Sequence, residues 1–285
     1  MKKRIFALVM ALCLVFALAA CGEEETAESP AATEEAEESP AAEETPAAEE
    51  STDPEASEQP EALSAEVTFE EEQSTVEEDG VTYMTAQSVA PNVNIEGADE
   101  AAQAIASVLA ERLTVPQEDI DEYADMAREH YDTLDETERE SFGGYSIRYS
   151  AEVKRSEGVL SVLCTRTEYT GGAHDNTSVF GLTFDLSTGA QLSAADIATD
   201  YEGLCAKVAE SVAAQAEELE EGTITGDLDA YAGGVLDTEK WYLDGEGLVV
   251  FAAPDELAPH AAGTIVFTIP YSELEGLLND SLIVE

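Results

Sequence analysis

The sequence predicts an α+β fold in which an antiparallel sheet meander packs against amphipathic helices. Apolar and polar side chains alternate in "GYSIRYSAEVK", residues 144–154, which is the pattern of a half-buried strand. Apolar residues recur at helical spacing in "GADEAAQAIASVLAERL", residues 97–113, and in "YEGLCAKVAESVAAQAEELEEG", residues 201–222. Short turn sequences separate the strands, and such turns favour antiparallel hairpins.

Residues 1–20 have the pattern of an export signal. Lys2, Lys3 and Arg4 precede an apolar run that is too short to span a bilayer comfortably. The run ends in "LAAC", which resembles the lipobox of bacterial lipoproteins and implies cleavage before Cys21 and lipid attachment to its sulfur. This predicts a membrane anchor on the extracytoplasmic face of a bacterial cell membrane. The alternative is an ordinary cleavage site that happens to precede a cysteine.

Residues 21–62 form a separate compositional segment. They consist almost entirely of Glu, Ala, Pro, Ser and Thr, with no Lys, Arg or aromatic residue. Such a segment buries too little apolar surface to offset the entropy of ordering it. We therefore expect a disordered acidic tether between the anchor and the folded part.

The charge of the folded part limits its partners. Residues 63–285 hold 47 of the 63 acidic residues and nine of the 12 basic residues, a net charge of −38. This charge argues against direct binding of nucleic acid or of an anionic membrane surface. The negative charge favours a cationic partner; the alternative is that it only keeps the protein soluble.

The first predicted domain, residues 63–195, contains helices followed by the meander. A strand is expected at 80–91 with Pro91 at its end, then a helix over 97–113 and a second helix from Pro116 to Glu140. The strand over 144–154 turns back at "RSEG" into "VLSVLCTRTEYT". The turn "GGAHDN" then leads into "TSVFGLTFDL", which completes the antiparallel meander.

The second predicted domain, residues 196–285, is expected to pack as one unit with the first. Just before it, at the end of the first domain, Ser193 caps a short helical turn. Leu204, Val208, Val212 and Leu219 then line the helix over 201–222. A hairpin around "DGEG" and the strand "TIVFTI" follow. The last expected element is a short helix from 270 to 278, which begins with a proline.

Two cysteines remain in this part of the chain once the signal and the lipid site are set aside. Cys164 and Cys205 both lie on apolar faces of predicted elements. An exported domain can hold them as a disulfide. Two buried thiols are the alternative, and the sequence leaves the choice open.

Two stretches resemble a known pair of domains. "YTGGAHDNTSVFGLTFDLSTGAQLSAADI" and "WYLDGEGLVVFAAPDELAPHAAGTIVFTIPYSEL" are similar to tandem domains of unknown function of the DUF4163 and DUF3298 type. Such tandems form the extracellular region of lysozyme-sensing anti-sigma factors of the RsiV type and the non-catalytic N-terminal region of peptidoglycan deacetylases of the PdaC type. The resemblance implies binding or sensing of a cell-wall component such as peptidoglycan, or of a cationic protein such as lysozyme.

The candidate binding residues lie in two loops. The "GGAHDN" turn supplies His174, Asp175 and Asn176, and the "PDELAPHAAG" loop supplies Glu256 and His260. His174 either fixes its turn, contacts a partner or ligand, or acts as a catalytic base. The sequence has only three histidines and lacks GxSxG, HExxH and CxxC motifs, so we expect no enzyme activity, metal site or cofactor. A cell-wall hydrolase with its site in these two loops and a solute-binding lipoprotein are the alternatives.

Overall fold

The computed structural model describes residues 62–283, and the predicted signal, Cys21 and tether lie outside them. The predicted α+β fold is confirmed. The strands are β1 (Ala65–Glu78), β2 (Val81–Ile95), β3 (Tyr145–Arg155), β4 (Val159–Tyr169), β5 (Asn176–Asp185), β6 (Gln191–Leu192), β7 (Trp241–Leu243), β8 (Gly247–Ala252) and β9 (Ile265–Pro270). The helices are α1 (Asp99–Leu113), α2 (Gln117–Thr133), α3 (Glu136–Glu140), α4 (Ala194–Ile197), α5 (Tyr201–Glu217) and α6 (Leu228–Gly234). Among residues 62–283, no helix has the length and apolar character needed to cross a membrane.

The strands form two sheets. The first has six strands in the order β1-β2-β3-β4-β5-β6, and the second has three in the order β7-β8-β9. The predicted meander is the antiparallel run β3-β4-β5, in which Ala151 lies opposite Cys164 and Cys164 lies opposite Phe180. The pair β2-β3 is parallel, because α1, α2 and α3 connect the two strands as a crossover.

β1 was not predicted, and β2 ends later than predicted. Six of the 14 residues of β1 are Glu, so its pattern is that of a solvated segment and not of a strand. Pro91 was expected to end the next strand, but β2 continues to Ile95. The proline is tolerated because β3 pairs only with Met84–Gln87, which leaves β2 with a single strand neighbour at Pro91.

The helix expected from Pro116 to Glu140 is two helices. It breaks after Thr133, and the side chain of Asp135 accepts hydrogen bonds from the backbone N–H groups of Thr137 and Glu138, both at 2.9 Å. The Glu138 carboxylate in turn accepts from the Asp135 N–H at 2.9 Å, which completes a capping box. This local start signal for α3 lies inside the continuous apolar periodicity and overrides it.

Two helices predicted in the second half of the chain are shorter in the structure than expected. The helix expected to include Leu219 stops at Glu217, and Leu219 is exposed. Acidic residues at 217, 218, 220 and 221 oppose the negative end of the helix dipole, which disfavours continuation. Pro270 precedes only a 3-10 turn, Tyr271–Glu273, and not a helix to Leu278. The hairpin β7-β8 and the strand β9 are as predicted.

The central strands β4 and β5 are buried on both faces. On one face of β5, Leu182 and Phe184 pack in a hydrophobic cluster with Ile105 and Leu109 of α1. On the other face, the chain packs against the second sheet, and Val179 joins a cluster with residues of β7 and β8. The burial is greatest away from the "GGAHDN" turn, because Thr165–Tyr169 of β4 and Asn176–Ser178 of β5 are half-buried or exposed.

Buried hydroxyl groups connect the two sheets on this second face. The side chains of Ser161 on β4 and Thr183 on β5 are buried and hydrogen-bonded at 2.8 Å. Ser161 Oγ also accepts a hydrogen bond from the Leu243 N–H at 3.2 Å. The polar atoms of this interface are therefore paired, as buried groups require.

Gly181 is a point of close backbone approach between β5 and the start of the second sheet. Its N–H donates to the Glu239 carbonyl oxygen at 2.6 Å, just before β7 begins. A Cβ atom at this position would overlap the Trp241 carbonyl group. Only glycine allows this backbone approach without displacement of β7.

The two cysteines are free thiols, so the disulfide alternative is not what the structure contains. Cys164 is buried beside Leu160 and Val162 in the cluster under α1. Cys205 is partly exposed and packs against a different cluster, which surrounds α5 and the second sheet. Both thiols have apolar surroundings, as expected, but they lie in separate clusters and do not pair.

We expect Cys164 to resist alkylation in the native protein while Cys205 reacts. Burial raises the pKa of the Cys164 thiol to about 12, so thiolate is scarce at pH 8 and the sulfur is inaccessible. Mass spectrometry of tryptic peptides after brief iodoacetamide treatment would measure both sites. Denatured protein should label both sites equally with and without prior reduction. If Cys164 and Cys205 label only after reduction, the free-thiol arrangement is wrong.

Candidate functional site

The two loops that carry the candidate residues meet in the structure. His174 of the β4–β5 turn and His260 of the loop between β8 and β9 stack their rings with centroids 4.2 Å apart and an interplanar angle of 27°. His174 is exposed and His260 is partly exposed. We take this histidine pair, His174 with His260, as the candidate functional site.

The β4–β5 turn is held by contacts at its base. Gly171 has a φ of +83° and lies against the His130 ring, where an added Cβ would come within 2.9 Å of Cε1. His130 is half-buried on α2, and its Nδ1 lies 3.2 Å from the Tyr145 hydroxyl. A glycine is needed here because the φ is positive and the space is filled.

Polar contacts fix the other end of the same turn. Arg148 on β3 donates to the Asp175 carboxylate at 3.1 Å. Asn176 donates to the Glu168 carboxylate at 3.4 Å. Asp175 and Asn176 therefore support the turn through their side chains.

The second loop is anchored in a comparable way. Asp255 adopts a φ of +68°, and its carboxylate lies 2.9 Å from His260 Nδ1. Glu256 forms a salt bridge with Lys240 and accepts a hydrogen bond from the Ala253 N–H at 3.0 Å. Glu256 thus fastens the loop, and its charge is balanced by Lys240.

The hydrogen bonds of the histidine pair determine where its protons lie. His174 Nδ1 is 3.1 Å from the Asp175 carbonyl oxygen, and His260 Nδ1 faces the Asp255 carboxylate. Both partners only accept, so each neutral imidazole carries its proton on Nδ1. Each Nε2 then has a lone pair that can accept a hydrogen bond.

Among residues 62–283, no hydrogen bond joins either ring to a Ser, Thr or Cys side chain. In that same part of the chain, no group of three or more His, Cys, Asp and Glu side chains is arranged to hold a metal ion.

Clefts lie beside the β4–β5 turn and elsewhere. One of about 410 Å³ adjoins the turn and is lined by Thr85, Gly143, Gly144, Ser146, Arg148, Tyr169 and Asp175. Two larger ones, about 790 Å³ and about 500 Å³, contain no residue of the histidine pair. In the 500 Å³ cleft, Tyr201 donates to the Asp237 carboxylate at 2.6 Å, and this hydrogen bond raises the pKa of the tyrosine.

The basic side chains of the described residues are nearly all paired within the fold. Seven of the nine form salt bridges with carboxylates: Arg112, Arg128, Arg148, Lys154, Arg166, Lys207 and Lys240. An eighth, Arg155, is buried. One of these salt bridges was not predicted from the sequence. Arg112 of α1 donates two hydrogen bonds, of 2.8 and 2.5 Å, to the Glu239 carboxylate, and they lower the pKa of that carboxyl.

The exposed carboxylates of α2 and α3 form an acidic face that sequence reasoning did not single out. Between residues 117 and 140, which form α2 and α3, eleven residues are acidic and two are Lys or Arg. The exposed Glu residues of β1 belong to the hairpin against which α2 packs. A count of charge by segment would have found this acidic face.

The comparisons with known proteins concern the C-terminal part and the fold. Residues 195–272 match the family described as "Protein of unknown function (DUF3298)". The fold is similar to a crystal structure of a DUF3298 family member from Bacteroides fragilis, with a TM-score of 0.50 and 23% identity over 78% of this chain and 95% of that one. It is also similar to a DUF3298 family protein from Pseudomonas aeruginosa, with a TM-score of 0.50 and 16% identity over 78% and 97% of the two chains. No curated protein matches the sequence. Residues 195–272 thus carry the DUF3298 match, and the fold is shared with solved proteins of that family.

Proposed function

We propose that the protein is a non-enzymatic binding module for a cationic protein, held at the extracytoplasmic face of the membrane by a lipid on Cys21. The observation that carries the proposal is the internal neutralisation of positive charge. Seven of nine basic side chains are in salt bridges, while residues 63–285 keep a net charge of −38.

This charge distribution selects the sign of the partner. An anionic polymer would meet few free cationic side chains and a repulsive field. A cationic protein would be attracted over distances comparable to the Debye length, about 8–10 Å at physiological salt. The acidic face of α2 and α3 would speed encounter, and closer contacts would set the lifetime of the complex.

Lysozyme is the first partner to test. The two stretches that resemble the DUF4163 and DUF3298 tandem are similar to the extracellular region of lysozyme-sensing anti-sigma factors, and lysozyme is strongly basic. The histidine pair lies on the loops of those stretches, where His174 is exposed, His260 is partly exposed and a salt bridge anchors each loop. We propose that this surface forms the close contact and that the acidic face provides steering.

The expected result is a specific complex whose association rate depends on the acidic face. Neutralising Glu118, Glu122 and Glu129 to Gln, all exposed on α2, should lower the association rate by about two- to fivefold at 0.1 M salt. The effect should vanish at 0.5 M salt because the charges are screened. His174→Ala with His260→Ala should mainly raise the dissociation rate. Surface plasmon resonance at both salt concentrations measures both rates.

Two controls separate specific binding from diffuse attraction. The first is an unrelated protein as basic as lysozyme, which should lose measurable binding at 0.5 M salt. The second is neutralisation of Glu217, Glu218 and Glu221, an equal charge change at the end of α5 that should alter association less. If lysozyme and the basic control behave alike at both salts, the specific-partner proposal fails.

A further inference from the structure

We propose that the outer edge of β1, the side turned away from β2, binds an extended cationic peptide segment as an additional antiparallel strand. β1 is the first strand of the six-stranded sheet and pairs only with β2. With 14 residues it is much longer than a typical strand of about 5–6 residues. This surface goes beyond the proposed function, because it includes neither ring of the histidine pair and its occupant need not be lysozyme.

Two contacts show which backbone groups of β1 lie on the outer edge. The Ala65 N–H donates to the Ser156 carbonyl oxygen at 2.8 Å, so Ala65 directs its backbone groups away from β2. Phe69 lies opposite Pro91, which has no N–H to donate, and this agrees with an outward direction at Phe69. The direction alternates along an antiparallel strand, so N–H and C=O groups point outward at every second residue. The outward residues after Ala65 are Val67, Phe69, Glu71, Gln73 and Thr75.

The outer edge is open in the described part of the chain. The β3–β4 turn covers only its beginning, where the Gly158 N–H donates to the Leu63 carbonyl oxygen at 2.9 Å. Between residues 66 and 78, the backbone of β1 has no hydrogen bond to a described residue outside β2. A row of unpaired backbone groups is a template for a further strand, and the main-chain hydrogen bonds supply the affinity.

Negative charge runs along this edge. Side chains alternate between the two faces of a strand, so Glu66, Glu70 and Glu72 share one face, and all three are exposed. The salt bridge that β1 forms with a described residue is at its far end, from Arg128 to Glu78. The three carboxylates are therefore left without a cationic neighbour.

This charge selects the occupant of the edge. Side chains directly opposite each other on neighbouring strands interact, and unlike charges stabilise the pair while like charges destabilise it. A second copy of β1 would place one Glu-rich strand against another. The predicted tether, residues 21–62, has no Lys or Arg with which to pair. A segment of another protein with Lys or Arg at every second position matches the edge.

The test uses a fluorescent peptide of five Lys-Thr repeats, with anisotropy measured against the full chain at about 0.1 M salt. When its Lys side chains lie opposite the Glu face, the Thr N–H groups point towards β1. Methylation of the Thr backbone nitrogens should therefore weaken binding at least tenfold. Methylation of the Lys backbone nitrogens is the matched control, since charge and methyl count are equal, and it should weaken binding less than threefold.

A proline on the edge tests the same geometry from the protein side. Gln73→Pro removes an outward N–H and leaves the hydrogen bonds to β2 in place, so it should weaken binding at least fivefold. Gln73→Ala keeps the N–H and should leave the affinity unchanged. His174→Ala with His260→Ala should bind the peptide normally, so failure of this proposal can be distinguished from failure of the proposed function.

Amide hydrogen exchange followed by NMR locates the peptide. Peptide binding should slow exchange at least tenfold at the outward residues Val67, Phe69, Glu71, Gln73 and Thr75. Diffuse attraction between charges would leave these amides unprotected. Equal affinities of the two methylated peptides, or binding without protection of these amides, would overturn the proposal.

Discussion

Gly181→Ala should lower the free energy of unfolding by about 3 kcal/mol or more, because the new methyl group has no space. Its Cβ would overlap the Trp241 carbonyl group, and backbone cannot move aside as a flexible side chain can. The shift would also stretch the 2.6 Å hydrogen bond from the Gly181 N–H to the Glu239 carbonyl. Overpacking of a buried site costs about 1–3 kcal/mol, and more when backbone must move. Urea unfolding followed by circular dichroism would measure the loss.

Gly233→Ala is the matched control for this substitution. Gly233 lies in α6 with no atom within 4 Å of an added Cβ, and its φ is not positive. Alanine favours a helix over glycine by about 1 kcal/mol, so this variant should be unchanged or slightly more stable. If both variants lose less than about 0.5 kcal/mol, the close approach of the sheets at Gly181 is not what fixes their packing.

Gly181→Ala should also disturb the histidine pair. β5 begins directly after the turn that carries His174, and Gly181 connects β5 to the second sheet, whose β8–β9 loop carries His260. A displacement between the sheets would move the two rings relative to each other. We therefore expect the stacking, and any property that depends on both rings, to be lost before the fold is.

The meander could be predicted because its signals are local. Alternation in β3, the glycines of the β4–β5 turn and the "DGEG" hairpin each specify structure within a few residues. β1 was not predicted, because its Glu-rich sequence has no strand pattern of its own. It is stabilised by pairing with β2 along its whole length. The break between α2 and α3 was not predicted, because the apolar periodicity of residues 116–140 favours one helix while the capping box at Asp135 starts a new one.

The candidate site was predictable in its residues but not in its geometry. The sequence placed His174 and His260 in two separate loops, and nothing local indicates that they touch. Their contact depends on the packing of β5 against β7, which is a long-range result of the fold. Conversely, Glu256 seemed a free contact residue in the sequence, but Lys240 holds it in the structure. The role of a charged loop residue is therefore set by neighbours that sequence order does not reveal.

Arg155→Met should cost about 2–4 kcal/mol of unfolding free energy, because Arg155 is a buried hydrogen-bond donor at the end of β3. Its guanidinium donates to the Tyr271 hydroxyl at 2.6 Å, the Leu282 carbonyl at 2.7 Å and the Glu157 carbonyl at 2.8 Å. Hydrogen bonds from a charged group contribute about 1.5–3 kcal/mol each, and the carbonyl of the buried Leu282 would lose its partner. Removal of the buried charge relieves part of this cost, since its desolvation is unfavourable. The net loss should appear as a lower urea midpoint with an unchanged slope.

Arg139→Met tests whether burial is the cause. Arg139 also donates to two backbone carbonyls, those of Tyr131 and Asp132 at 3.1 Å, but it is exposed on α3. Water can replace those hydrogen bonds, so the same substitution should cost less than about 1 kcal/mol. The Arg155 variant should in addition become sensitive to limited proteolysis after Tyr271, because the segment that ends at Leu282 loses its attachment to β3. Equal, small losses in the two variants, with the C-terminal segment still protected, would show that Arg155 does not hold that segment in place.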